Sequence, residues 1–197
     1  VQPALHGRLL WSLTDDGVLS LSLRLRRTLG FPSLPRLGLR LFLPEVMNQV
    51  DYYGLGPQES YVDKRRASHH GAFSADVVDL HEDYIRPQEN GSHADCNKVL
   101  LSGGGLSLAA VGPTPFSFNA SRYTQEELAA RRRNTELTPS GSTVLCLDAA
   151  MAGIGSNSCG PALRPRYQVD SQELGMELHL LLNPLISHTS THNEVTL

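Results

Sequence analysis

Three stretches of this chain gather the side chains that could do chemistry. The first, "DYYGLGPQESYVDK", covers 51–64 and sets Glu59 and Asp63 among Tyr53, Gly54, Gly56, Pro57 and Tyr61. The second, "YIRPQENGSHAD", covers 84–95 and carries Arg86, Glu89, Asn90, Gly91 and Asp95. The third, "MAGIGSNSCGP", covers 151–161 and holds Ser156, Asn157, Ser158 and Cys159. Each sets glycine and proline against polar groups able to bind a ligand or cap backbone, and loops carry function more often than strands do. Two readings stand open. Either the loops form a site, or they are corners in which Glu59, Arg86, Glu89 and Asp95 tie backbone groups together. As corners, Gly54 and Gly56 supply tight turns, Pro57 fixes the exit, and Glu59 and Asp63 hold nearby backbone or Arg65 and Arg86.

Other chemistry has less support. Cys96, Cys146 and Cys159 are too few and too far apart for a disulfide framework, and they read as reduced thiols. No Cys-x-x-Cys spacing occurs, and no metal site is expected on this chain. Asn90 and Asn119 each head an Asn-x-Ser match, which would matter only in a secreted protein.

The elements that must hold these loops are strands. The chain has 197 residues, 40% hydrophobic and 19% charged, with a formal net charge of -3. That is ordinary globular composition for one substantial domain. Arg131, Arg132 and Arg133 form the one tight cationic run, which reads as a solvated helix face, so no nucleic-acid partner is expected. No apolar run is long enough to span a bilayer, and no signal peptide is visible, so no membrane partner and a cytoplasmic location are expected. The sequence starts at Val1 in ordinary globular sequence, which suggests an excised piece of a longer protein.

Alternation dominates the pattern. In "VLSLSLRLR", 18–26, Leu19, Leu21, Leu23 and Leu25 share one face, against Ser20, Ser22, Arg24 and Arg26. That is a half-buried antiparallel strand, entered through a turn at "DDG", 15–17. "LGLRLFL", 37–43, repeats the pattern. "KVLLS" and "LSLAAV" flank Gly103, Gly104 and Gly105; "PFSFNAS", "TVLCLDAA", "RYQVD" and "LGMELHLLL" follow as further strands. One short helix is expected where Thr124 and Glu127 make a capping box, with the arginines in its last turn. The fold class is therefore all-β, an antiparallel β-sandwich with one short helix, and "SHTSTHNEVTL" has no pattern.

"YYGLGPQESYVDK", "YIRPQENG", "SRYTQEEL" and "MAGIGSNSCGP", with "PRLGLRLFLP" ahead of them, resemble in order and spacing the C-terminal, small-chain domain of the long β-galactosidases of glycoside hydrolase family 2. The resemblance runs from about Trp11 to Pro184 and implies a large sandwich of the galactose mutarotase-like type over 1–184, N-terminally truncated, with a flexible tail over 185–197. It implies a parent enzyme that hydrolyses terminal β-galactosides with retention, Mg2+ and Na+ or K+ held by other domains, and a (β/α)8 barrel carrying the active site. A retaining glycosidase needs two carboxyl groups about 5–5.5 Å apart. In this family both are barrel glutamates, so no catalytic residue is expected here. This piece is expected to complete the active-site wall and to be inactive alone.

In the family the third motif can end in Gly-Asp-Asp-Ser-Trp, whose indole stacks on sugar. Here Ser156, Asn157, Ser158 and Cys159 stand at that point, with Cys159 where the tryptophan would sit. These four are the candidate galactoside contacts. Two rival readings are a carbohydrate-binding module and an aldose epimerase using His69, His70 or His81 with Glu82. A truncated sandwich also predicts an unpaired edge and hence a homo-oligomer.

Overall fold

The computed structural model describes residues 5–154 and 162–183. The alternating segments form nine antiparallel strands: β1 (Leu5–Leu13), β2 (Val18–Arg27), β3 (Arg36–Pro44), β4 (Gln49–Gly56), β5 (His69–Asp76), β6 (Ser92–Gly103), β7 (Leu106–Ser121), β8 (Ser142–Met151) and β9 (Glu173–Leu182). They make one connected sheet in the order β1-β2-β9-β7-β6-β4-β5, with β8 paired to β7 and β3 paired to β8.

β7 makes this sheet fork. Its first part, Leu108–Val111, pairs with β9, and its last part, Ser117–Ser121, pairs with β8. β6 follows its other edge, with register shifts around Cys96. The changeover falls at "GPTP", 112–115, where Pro113 and Pro115 have no N–H to donate to a ladder. The two branches share one core. It runs from Leu21, Met176, Leu178 and Leu180 through Val99, Leu101, Phe116 and Phe118 to Leu145 and Leu147. The expected all-β antiparallel class is what forms.

Several segments differ from their sequence reading. The first loop begins as a strand: residues up to Gly56 belong to β4. Tyr52 points inward and is buried, whereas Tyr53 is exposed. Gly54 and Gly56 therefore do not make turns. A Cβ on Gly54 would lie 2.2 Å from the Cys96 sulfur, and one on Gly56 2.2 Å from the Tyr52 hydroxyl, so both serve close packing. "LSLAAV" and "PFSFNAS" are two parts of one strand, and β5 was not legible as a strand. "RYQVD" is a short 3-10 turn at Pro165–Tyr167, followed by a single bridge from Val169 to Leu34. The helix α1 spans only Gln125–Ala130. The Thr124 hydroxyl accepts from the Glu127 N–H at 3.1 Å, as the capping box requires. The arginine run lies beyond its end, although Arg131 still reaches back to Glu127 at 2.7 Å.

Candidate functional site

The first two polar stretches and the described start of the third, residues 151–154, come together through Glu59 and Asp63. The turn after β4 delivers Glu59, whose side chain is 2% exposed. Its carboxylate pairs with the Lys64 ammonium and accepts from the Tyr84 hydroxyl. The Gly91 N–H donates to it at 2.7 Å and the Tyr61 hydroxyl at 3.4 Å. Burial opposes ionisation of Glu59, but Lys64, Tyr84 and the Gly91 amide together hold its carboxyl below the usual range. Ser60 continues the seam: its N–H donates to the Ser92 carbonyl at 2.6 Å, and its hydroxyl accepts from the Ala94 N–H at 2.9 Å. Here the glycine requirement is conformational. Gly91 has φ +71°, and a Cβ there would meet the Leu80 carbonyl at 2.3 Å. Asn90 locks the same turn by accepting from the Glu82 N–H at 3.0 Å.

A second knot lies beside the first. Arg36, at the start of β3, donates through Nε to Asp148 at 3.1 Å and through Nη2 to the other Asp148 oxygen. Its Nη1 reaches both Glu89 oxygens at 3.2 Å. Burial disfavours the guanidinium, but Asp148 and Glu89 outweigh it and keep the cation charged. Glu89 moves the opposite way from Glu59: burial, helped by the nearby Asp148 charge, raises its carboxyl despite Arg36. Asp148 is buried, so it cannot meet a ligand directly.

The third stretch is anchored at its base. Asp63 accepts from the Ile154 N–H at 3.2 Å. The Ala152 N–H donates to the Pro35 carbonyl at 2.9 Å, and the Gly153 N–H to the Tyr167 carbonyl at 3.0 Å. A cavity of about 430 Å³ opens here, with Arg36 and Glu89 on one wall and Pro35, Met151, Ile154 and Leu163 on others. Ser156, Asn157, Ser158 and Cys159 lie outside the described residues.

The sequence thus marked Glu59, Asp63, Glu89, Asn90 and Gly91 for an end they do share, but not Lys64, Tyr84, Arg36 or Asp148. Arg86 lies exposed, and among the described residues it forms no ion pair. Arg65 pairs with Asp95 rather than with Glu59 or Asp63. The epimerase candidates do not converge. His70 packs on Tyr53 at 4.7 Å and reaches the Asp95 carbonyl, His69 packs on Phe73 at 5.3 Å, and His81 packs on Tyr123 at 5.0 Å. Glu82 is exposed. Cys96 and Cys146 are buried free thiols. Burial pushes them up to about 12 and about 11 respectively, which leaves no thiolate for nucleophilic work.

Comparison with known proteins adds the wider setting. The family model described as the beta galactosidase small chain matches residues 1–182. A beta-galactosidase of Actinobacillus pleuropneumoniae is 41% identical over 176 residues, which is 89% of this chain and 17% of that protein. One of Staphylococcus xylosus is 38% identical over 180 residues, 91% of this chain and 18% of that protein. "Beta-galactosidase 2" of Enterobacter cloacae is 31% identical over 178 residues. The chain therefore spans less than a fifth of the length of these relatives.

Proposed function

This chain belongs to the beta-galactosidase small-chain family, and from that premise we propose that it is the C-terminal domain of a glycosidase acting on terminal β-galactosides with retention of configuration. In this reading the domain completes the wall of an active site carried by a (β/α)8 barrel elsewhere in the parent chain. The observation that supports it is how the carboxylates at the loop end are used. Glu59 is enclosed by four donors and Asp148 is buried on the Arg36 guanidinium, so both serve as ties; Glu89 shares that guanidinium and lines the cavity without a second carboxylate facing it among the lining residues. A nucleophile or a general acid needs a face open to the sugar.

The ties brace the base of the 151–161 stretch, and the cavity beside it is where the wall would face substrate. Ser156, Asn157, Ser158 and Cys159 are the groups proposed to meet the galactoside. Among the described residues no group of three or more His, Cys, Asp or Glu could hold a metal. The Mg2+ and Na+ or K+ implied by the family resemblance are proposed to sit on other parts of the parent chain, and no step is routed through them here.

The test is the purified 197-residue chain with o-nitrophenyl galactoside. No turnover is expected, and turnover at any concentration of homogeneous chain would overturn the assignment of the catalytic groups elsewhere. Titration calorimetry with galactose separates this reading from a free-standing sugar-binding module, which would show millimolar or tighter binding.

A further inference from the structure

The polar face of β1 and β2 sets cations against one another. Alternation puts His6, Arg8 and Leu10 on one side of β1, and register places them opposite Arg26, Arg24 and Ser22 of β2. Arg8 therefore faces Arg24 directly, and His6 faces Arg26. Side chains opposed in this way start about 5 Å apart at Cβ, and like charges so placed destabilise the pairing. β9, on the other side of β2, relieves one of them. Arg24 pairs with Glu177, and its Nη1 lies 2.9 Å from where a Cβ on Gly175 would stand, so its guanidinium is drawn over β9 and away from Arg8. Arg26 sits opposite Glu173 in register. Yet Arg8 and Arg26 are exposed, and among the described residues neither forms an ion pair. A cavity of about 530 Å³ lies among these groups, lined by His6, Arg8, Ser22, Arg24, Arg26 and Glu173. It shares no residue with the cavity beside Arg36.

We propose that this cavity binds a phosphate group. Charge selects an anion: three guanidiniums meet one carboxylate in the lining, on a chain whose formal net charge is -3, so the basic excess is local. An anion set between Arg8 and Arg26 would also offset the repulsion across the two strands. The donors suit phosphate, which is close to a dianion at neutral pH. Arg8 approaches from β1, Arg26 from β2, and the Ser22 hydroxyl adds a neutral donor. Tetrahedral phosphate accepts from several directions at once, whereas the two oxygens of a carboxylate lie in one plane. The volume falls within the roughly 300–1,000 Å³ of small-molecule sites and exceeds what one phosphate ion fills. Leu10 supplies an apolar wall. A phosphate monoester of a small organic molecule is therefore the expected source, ahead of the free ion. The site lies outside the loop end and does not depend on the galactosidase reading.

The experiment is titration calorimetry of the 197-residue chain at physiological ionic strength, with glucose 6-phosphate, inorganic phosphate, malonate and glucose as probes. Glucose 6-phosphate should bind saturably in the millimolar range or tighter, and glucose should not bind. Arg8→Gln and Arg26→Gln should each weaken binding about tenfold or more. Glu173→Gln should tighten it, because it removes the one carboxylate of the lining. Both arginine variants should melt at or above the unmodified chain in phosphate-free buffer, since each relieves a like-charge pair. Absence of binding, undiminished binding in both arginine variants, or malonate binding as tightly as the ester would overturn the proposal. An arginine variant that melts well below the unmodified chain would also count against it, by showing that arginine to be paired within the fold. Inorganic phosphate binding as tightly as the ester, with the same arginine dependence, would uphold the site and make the free ion its ligand.

Discussion

The loop end and the β1 edge invert the usual protein in opposite ways. At the loop end, charged groups are buried: Glu59 and Asp148 each keep 2% of the side chain exposed. At the β1 edge, leucines and a tryptophan lie in the open. Buried charge is tolerated only when partners are in place, and among the described residues Glu59 and Asp148 have theirs. Trp11 pairs in register with buried Leu21, so its row carries a core row on into the open. One region therefore reports how the domain holds its loops, and the other shows an apolar row that the described residues leave open.

The comparison breaks first at Arg36. Arg36→Ala leaves buried Asp148 without its cation and should lower unfolding free energy by about 3–5 kcal/mol in urea titration. A loss below about 1 kcal/mol would mean the loop end is not the tied region described here.

Acid should act nearly as strongly. His93 is buried between Tyr52 and Phe118, with ring centroids 4.7 and 5.1 Å away, and its Nε2 has no partner. Burial lowers its pKa to about 4, so the folded chain keeps the ring neutral while the unfolded chain takes up a proton near pH 6.5. Stability is therefore full above about pH 6.5 and is lost as pH falls toward 4, by roughly 3 kcal/mol. His93→Phe should flatten that window in a series of melts between the two pH values. An unchanged slope in the variant would assign it to other groups.

Glu59→Gln is expected to be milder, with a loss of about 1–3 kcal/mol. The amide keeps one acceptor oxygen but gives up the Lys64 ion pair, and it turns a donor toward Tyr84 or the Gly91 N–H. Thermal unfolding checks it, and a stabilised variant would contradict the four-donor description.

The smallest effect belongs to the other region. Leu13→Ser should change stability by no more than about 0.5 kcal/mol, because its side chain already meets water. A loss of several kcal/mol would show Leu13 to be packed within the chain itself.

Much of this was legible in the residues, for identifiable reasons. β2, β3 and β9 announce themselves because leucine repeats every second position. β4 does not, because its tyrosines and glycines resemble a loop until Cys96 and Phe73 are seen against those glycines. β5 turns only Gly71, Phe73 and Ala75 inward, too small a set to show a period. At the loop end, Glu59 and Glu89 stood out by motif, but their partners did not. Arg36 lies 53 residues from Glu89 and 112 from Asp148, and no local pattern encodes such a pairing. One signal was available: Asp148 closes the apolar run "VLCL", and a carboxylate there demands a cation.

The central claim is that this domain holds the wall of a glycosidase site and not its catalytic groups. It is tested most directly by hydrolysis of o-nitrophenyl galactoside in the short, 197-residue chain and in a full-length chimera in which this chain replaces the matched region of the Actinobacillus pleuropneumoniae protein, side by side. The account predicts no turnover by the short chain and clear turnover by the chimera. Turnover by the short chain, or none by a folded chimera, would contradict it.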